Sequence, residues 1–159
     1  MQQREIQPVE YTIEQLQEQE TLRFLSMTKE DAAELGAVAI EIIRQGGLSL
    51  AADIVLDGDL VFRAKLGNTG PGNDDWLRRK AATARQFGRS SMLVRRELER
   101  DDERLDDAAD DDGVPLAAFG GAFPIRVGHA LMGTITMSGE PDWVDHFAVV
   151  EAVRRYLAR

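Results

Sequence analysis

The chain has 159 residues, no cysteine and a formal net charge of -9, which suits one domain able to bury roughly two-thirds of the surface its unfolded form exposes. Without thiols, disulfides, thiolate metal sites, iron–sulfur clusters and cysteine nucleophiles are excluded together. Acidity weighs against duplex DNA and anionic membranes as partners, since clustered positive charge recognises both. No apolar run approaches the roughly 18 residues of a membrane span, and the opening Met1-Gln2-Gln3-Arg4-Glu5 is unlike a secretory leader, so a cytoplasmic protein is expected.

The charge is polarised along the chain. Residues 101–113 hold eight acids against the single Arg104, whereas residues 74–100 hold eight bases against four acids. Like charges so dense repel one another, which predicts a solvated connection over 101–113 more than a metal site.

Residues 1–27 are polar and Gln/Glu-rich, with Ile13 and Leu16 as anchors of a short helix; they read as an arm preceding a single domain over residues 28–159. Thr28 with Asp31 forms a capping-box pattern, and Leu35, Val38, Ala39, Ile42 and Ile43 recur at helical spacing until Gly46-Gly47, predicting an amphipathic helix. The period then changes to two, through Leu48, Leu50, Ala52, Ile54 and Leu56 and again through Leu60, Phe62, Ala64 and Leu66, which predicts a hairpin. A three-residue loop pairs Leu56 with Leu60 and Ile54 with Phe62, keeping the apolar set on one face; a two-residue turn at Asp57-Gly58 would pair Val55 with Leu60.

Residues 67–73 read as a Gly/Pro-rich loop, followed by a helix from Asp74 to about Gly88 and another, capped by Ser90 or Ser91, that carries Val94, Leu98 and Leu105. Residues 114–118 could form a short strand. Phe123, Ile125 and Val127, then Leu131, Gly133, Ile135 and Met137, alternate as a second hairpin whose three-residue loop pairs Val127 with Leu131 and puts His129 at the tip. Pro141 opens the last helix, with His146, Val149, Val150, Val153 and Leu157 facing inward.

Two constellations offer chemistry. On a continuing helix Arg78, Arg85 and Arg89 share one side, and Ser90 and Ser91 could add hydroxyls and a helix N-terminus to a carboxylate or phosphate site; alternatively these bases form a wet face paired with the acidic run or a second subunit. His146 is either a satisfied core residue, with Asp142 one turn back as its partner, or a ligand oriented by that carboxylate. No dinucleotide fingerprint, Walker loop, nucleophile elbow or His pair at metal spacing is present.

The strings Asn73-Asp74-Asp75-Trp76-Leu77-Arg78-Arg79-Lys80, Phe87-Gly88-Arg89-Ser90-Ser91, Gly120-Gly121-Ala122-Phe123-Pro124-Ile125-Arg126-Val127 and Gly133-Thr134-Ile135-Thr136-Met137-Ser138-Gly139, with Asp145-His146, resemble the uncharacterised branch of the HbpS-like haem-degrading-domain family, a distant relative of GlcG and the PduO C-terminal domain. The resemblance spans about residues 11–157; it departs from the branch at Arg89, where His is usual, and in its acidic run. It implies an α+β, profilin-like fold, an antiparallel sheet of about five strands with helices on both faces, and a homo-oligomer. Some relatives bind haem or cobalamin-pathway ligands. The expected function is therefore binding of a small molecule, with haem or another anionic tetrapyrrole as the candidate and Arg78, Arg85, Arg89, Ser90, Ser91 and His146 as the ligand-binding set. Were haem held through its iron, His146 would be the first candidate for axial ligand, with the methionines and a tyrosine as alternatives, since cysteine is absent and His129 sits at a tip. The alternative is an interaction or scaffold protein without a ligand. An enzyme would need a general base, for which only His146 with its neighbouring carboxylates stands out.

Overall fold

The computed structural model describes residues 8–159; the first seven residues of the expected arm, including the opening read for a leader, lie outside the described residues. Among the described residues five helices and four strands follow in the order α1 (Ile13–Gln19), α2 (Lys29–Gly46), β1 (Ala51–Leu56), β2 (Asp59–Lys65), α3 (Pro71–Phe87), α4 (Ser91–Arg100), β3 (Ala122–Val127), β4 (Ala130–Ser138) and α5 (Asp142–Leu157). The sheet is antiparallel with strand order β2-β1-β4-β3. Among the described residues no helix is long and apolar enough to cross a membrane.

Both N-terminal helices start where side chains satisfy backbone N–H groups that the helix leaves free. Thr12 and Gln15 form a capping box on α1, as Thr28 and Asp31 do on α2. The arm docks on its own chain: Leu16 is buried against Met92 and Leu93 of α4. Helix α3 begins three residues before the expected Asp74, because Pro71 takes the first position and Asn73 accepts from the Gly70 N–H at 2.9 Å. A segment rich in Gly and Pro is here the cap of a helix, where proline's missing N–H does no harm.

The main core lies between one face of the sheet and the pair α2 and α5. Leu50, Ala52, Ile54, Phe123, Ile125, Ile135 and Met137 project there against Leu35, Ala39, Ile43, Val149 and Val153. Helix α3 lies against β1, β3 and β4 on the opposite face, where Asp53, Thr134, Thr136 and Ser138 alternate with the core residues.

Both expected loop registers are corrected. Ile54 does oppose Phe62, and Asp53 opposes Arg63, but Val55 pairs with Leu60 and Leu56 with Asp59, around a two-residue turn at Asp57-Gly58. A bulge between these two sets of pairs absorbs the extra residue, so Phe62 keeps its place against the core opposite Ile54 while Leu60 passes to the other face beside Val55. The second hairpin repeats the device: Val127 pairs with Ala130 and Arg126 with Leu131, with a shift before Ile125 meets Gly133. Positive φ at Asp57 (51°) and Gly58 (79°) gives the turn a twist that matches the strands.

Among the described residues the sheet has four strands, not the expected five or so. Residues 114–118 contribute only the bridge between Ala109 and Pro115, and Phe24 adds a single parallel bridge beside Val127 at the β3 edge. Ala117 donates its N–H to Thr83 Oγ1 at 2.8 Å, which diverts this backbone from a ladder to a helix side chain.

Candidate functional site

A cavity of about 620 Å³ opens between the β1–β2 hairpin and α3. Asp53, Val55, Leu60 and Arg63 come from the sheet, Asp74, Asp75, Arg78, Ala81 and Arg85 from α3, and Asp112 from the acidic run. The loop between β2 and α3 is short, so the first turn of α3 falls directly over the hairpin, with Lys65 Nζ 3.1 Å from Asp74 Oδ1. Deeper in, Arg63 Nη2 donates to Asp53 Oδ2 at 3.0 Å. Asp53 is only 2% exposed, and its other oxygen, Oδ1, is enclosed without a partner. Burial pushes its carboxyl above the usual carboxylate range although the Arg63 guanidinium pulls it down.

Two of the residues singled out from sequence meet at the mouth of this cavity. Arg78 pairs with Asp75 at 3.0 Å and Arg85 with Asp110 at 3.0 Å, both bases remaining about half exposed. Part of the acidic run is thus folded back: Asp110 accepts the N–H groups of Asp112 and Val114 and is 6% exposed in its side chain. Arg89 does not continue the stripe, because α3 ends at Phe87 with Gly88 as its left-handed cap. It bonds Glu97 and the Phe87 carbonyl instead.

The remaining three residues are enclosed. Ser90 Oγ caps α4 by accepting from the Leu93 N–H at 3.2 Å, while its own N–H donates to Glu20 Oε1 at 2.6 Å. Ser91 Oγ accepts from Ala122 N–H at 3.0 Å, tying α4 to β3. His146 is fully buried, with Nε2 2.7 Å from Gln19 Oε1, Nδ1 without a partner and the Tyr11 ring 4.7 Å away edge-on. Burial holds its pKa down at about 3, which keeps the ring neutral. Asp142 is not its hydrogen-bond partner: that carboxylate accepts from Arg95 at 2.5 Å and from the Gly120 N–H at 2.9 Å.

Sequence reasoning missed a buried ion pair on which four of the quoted strings converge. Lys80 Nζ donates to Asp145 Oδ2 at 2.8 Å and to the Met137 carbonyl at 3.2 Å, and Asp145 Oδ1 accepts from Glu140 N–H at 3.0 Å. Burial raises the Asp145 carboxyl to about 6 against the pull of Lys80. Gly121 makes room: a Cβ there would stand 2.3 Å from the Met137 carbonyl oxygen and 3.0 Å from Lys80 Nζ, at φ 138°. The signal was present, since Leu77, Lys80, Ala81 and Ala84 repeat at i, i+3, i+4 and i+7, which puts a lysine on the inner face of α3. The pair closes the inner end of a second cavity of about 570 Å³. Trp76 and Phe119, T-stacked at 5.8 Å, flank it beside Arg95. Among the described residues no group of three or more His, Asp or Glu side chains could hold a metal ion.

Solved structures share this fold. The crystal structure of Ybr137w protein matches with a TM-score of 0.82 and 25% identity over 93% of this chain and 90% of that one. HbpS matches with 0.67 at 19% identity over 86% and 94%. A PduOC:heme complex matches with 0.69 at 17% identity over 81% and 94%. Among curated sequences, a UPF0303 protein of Streptomyces coelicolor is 35% identical over 94% of this chain and 96% of its own length. A UPF0303 protein of Paraburkholderia phymatum is 40% identical over 88% and 86%. The family described as haem degrading protein HbpS-like matches residues 27–154, and the chain belongs to that family.

Proposed function

We propose that this chain binds a small carboxylate-bearing molecule in the cavity between the β1–β2 hairpin and α3, with Arg78 and Arg85 holding the carboxylate. The observation that carries this reading is that two guanidinium forks stand at the mouth of a cavity whose volume lies within the range of small-molecule sites, about 300–1,000 Å³. Each fork has five N–H donors and spends few of them on its aspartate; the Arg78–Asp75 pair is exposed and worth only about 0–1 kcal/mol, so a ligand can displace it, while the half-exposed Arg85 keeps donors to share beside the enclosed Asp110. In this reading Arg89, Ser90, Ser91 and His146 hold the surrounding elements in place and do not touch the ligand. A cytoplasmic location belongs to the same proposal.

Haem is the ligand that the PduOC:heme complex brings to mind, and its two parts fare differently. Its propionates suit Arg78 and Arg85. Its iron does not find a ligand inside the cavity, because no His, Met or Tyr lines it or the one closed by Lys80, His146 is enclosed by Gln19 and Tyr11, and Lys80 is committed to Asp145; Met132 lies outside, in the neighbouring pocket at the hairpin ends. The residues described in this cavity therefore do not fit a haem held there through its iron. A haem titration followed by absorbance on wild type, Arg85→Ala and His146→Ala tests this. Expected is weak or no binding that Arg85→Ala weakens further, with His146→Ala leaving the spectrum unchanged. A Soret shift lost in His146→Ala would restore that residue as a ligand.

A second reading, an interaction or scaffold protein that assembles with itself, has its own support. Leu60, Leu131 and Met132 at the hairpin ends are each more than one-third exposed, as are Trp76 and Phe119. Light scattering at micromolar concentration distinguishes the cases: a monomer would remove self-assembly.

A further inference from the structure

The cavity at Asp53 selects more than a carboxylate. Its lining carries three arginines and four aspartates, so a purely anionic guest meets no net positive charge. The charges are also ordered by depth. Arg78 and Arg85 stand half exposed at the mouth, whereas Asp53 is buried and leaves Oδ1 without a hydrogen bond. Arg63 satisfies only the other oxygen. Thr136, opposite Asp53 in the β1–β4 register and so on the same face, also has a buried, unpartnered hydroxyl. Buried polar groups are almost always satisfied, and a carboxylate oxygen enclosed without a donor is among the more expensive exceptions.

We infer that the cavity takes an amino-carboxylate, its ammonium group supplying the donor that Asp53 Oδ1 lacks and its carboxylate lying on Arg78 and Arg85 at the mouth. This rests on the reading of the cavity as a carboxylate site and adds the second group the ligand carries. A bare carboxylate would leave Asp53 orphaned. A bare amine would leave the two guanidinium groups to Asp75 and Asp110 alone. A metal ion is not the missing donor, since among the described residues no group of acids or histidines has the spacing to hold one. An ammonium has three N–H donors, so one can serve Asp53 while the others stay with the remaining aspartates of the lining.

The test is calorimetric titration of the wild-type protein with the common L-amino acids, each beside its N-acetyl and carboxamide derivatives. Hydrogen bonds to charged groups are worth enough to expect at least one amino acid to bind saturably, with acetylation and amidation each weakening it by about tenfold or more. Asp53→Asn should abolish the preference for the free amine and Arg85→Ala the preference for the free acid. The derivative arms use the unaltered protein, so they decide the matter even where a variant folds poorly. An N-acetyl derivative that binds as tightly as its parent would overturn the inference while leaving the carboxylate reading intact. So would saturable binding of succinate with none of any amino acid. Failure of amino acids and succinate alike would overturn both.

Discussion

At β1, β3 and β4 both faces of the sheet are enclosed, yet they are built on opposite principles. Under α2 and α5 lie Ile54, Phe123, Ile125, Ile135 and Met137, each fully enclosed and without polar side-chain atoms to satisfy. Under α3 lie Asp53, Thr134, Thr136 and Ser138, each no more than 4% exposed, and here the accounts of hydrogen bonding do not close: Asp53 Oδ1 and Thr136 Oγ1 have no partner. The first face is held by removal of apolar area from water, which is indifferent to direction. On the second, every group requires a partner in a particular place, and the residual demands are what a ligand could meet.

The sharpest way to break this contrast is to cut into each face. Phe123→Ala should cost about 4 kcal/mol in urea unfolding, from lost transfer energy and the cavity left behind. Thr136→Val, similar in shape, should change stability by less than about 1 kcal/mol, because it deletes a hydroxyl that satisfies nothing. A large loss in Thr136→Val would show that the hydroxyl has a partner after all and that the polar face is closed.

Next in size is the ion pair at the end of that face. Lys80→Met should cost about 3 kcal/mol, since it leaves Asp145 buried without its cation, and the double variant Lys80→Met with Asp145→Leu should recover most of the loss. A double variant no better than the single would mean that the hydrogen bonds from Glu140 and to Met137, rather than the charges, hold this corner.

The pH dependence sharpens the contrast within two adjacent residues. Asp145 is raised from 3.8 to about 6, so the native state binds its proton more tightly than the unfolded chain, and its contribution is present below about pH 4 and lost as pH rises through about 6. His146 is lowered from 6.5 to about 3, so its contribution is present above pH 6.5 and lost as pH falls toward 3. Each slope is at most about 1.4 kcal/mol per pH unit, and between pH 4 and 6 they oppose each other. His146→Gln should therefore uncover a stability that falls with rising pH over that window relative to wild type, and Asp145→Asn should do the reverse. Parallel pH profiles for all three proteins would show that neither group is perturbed.

The apolar face was legible in the sequence because its period is imposed residue by residue: Leu35 to Ile43 at helical spacing, Leu50 to Ile54 and Ile135 to Met137 at every second position. The polar face was legible only in part. Arg78 and Arg85 announced themselves as charges on one side of a helix, but Asp53 and Thr136 meet across 83 positions of sequence through the β1–β4 pairing, and no local pattern predicts which strands lie side by side. Lys80 and Asp145, 65 positions apart, were hidden for a different reason: each falls at an inward position of its own helix, yet a charged residue read alone is assigned to solvent. Arg89 was misplaced because Gly88 ends α3 one residue earlier than the stripe required.

The smallest effect concerns how the two faces are kept distinct at the hairpin tip. With the two-residue turn, Leu60 stands opposite Val55, and both line the cavity; with a three-residue loop it would have stood opposite Leu56. The turn therefore decides which face Leu60 serves, and the bulge returns Phe62 to Ile54 below it. Gly58 holds this turn at φ 79°, with nothing within 4 Å of where a Cβ would stand, so Gly58→Ala meets no clash and pays only the left-handed backbone penalty, about 1 kcal/mol. Urea unfolding should show that loss, and nuclear Overhauser contacts should still link Val55 to Leu60. If alanine instead drives the tip into the longer loop, contacts between Leu56 and Leu60 will appear, Leu60 will leave the cavity wall, and the two-residue turn will prove to be a choice made by one glycine rather than by the strands it joins.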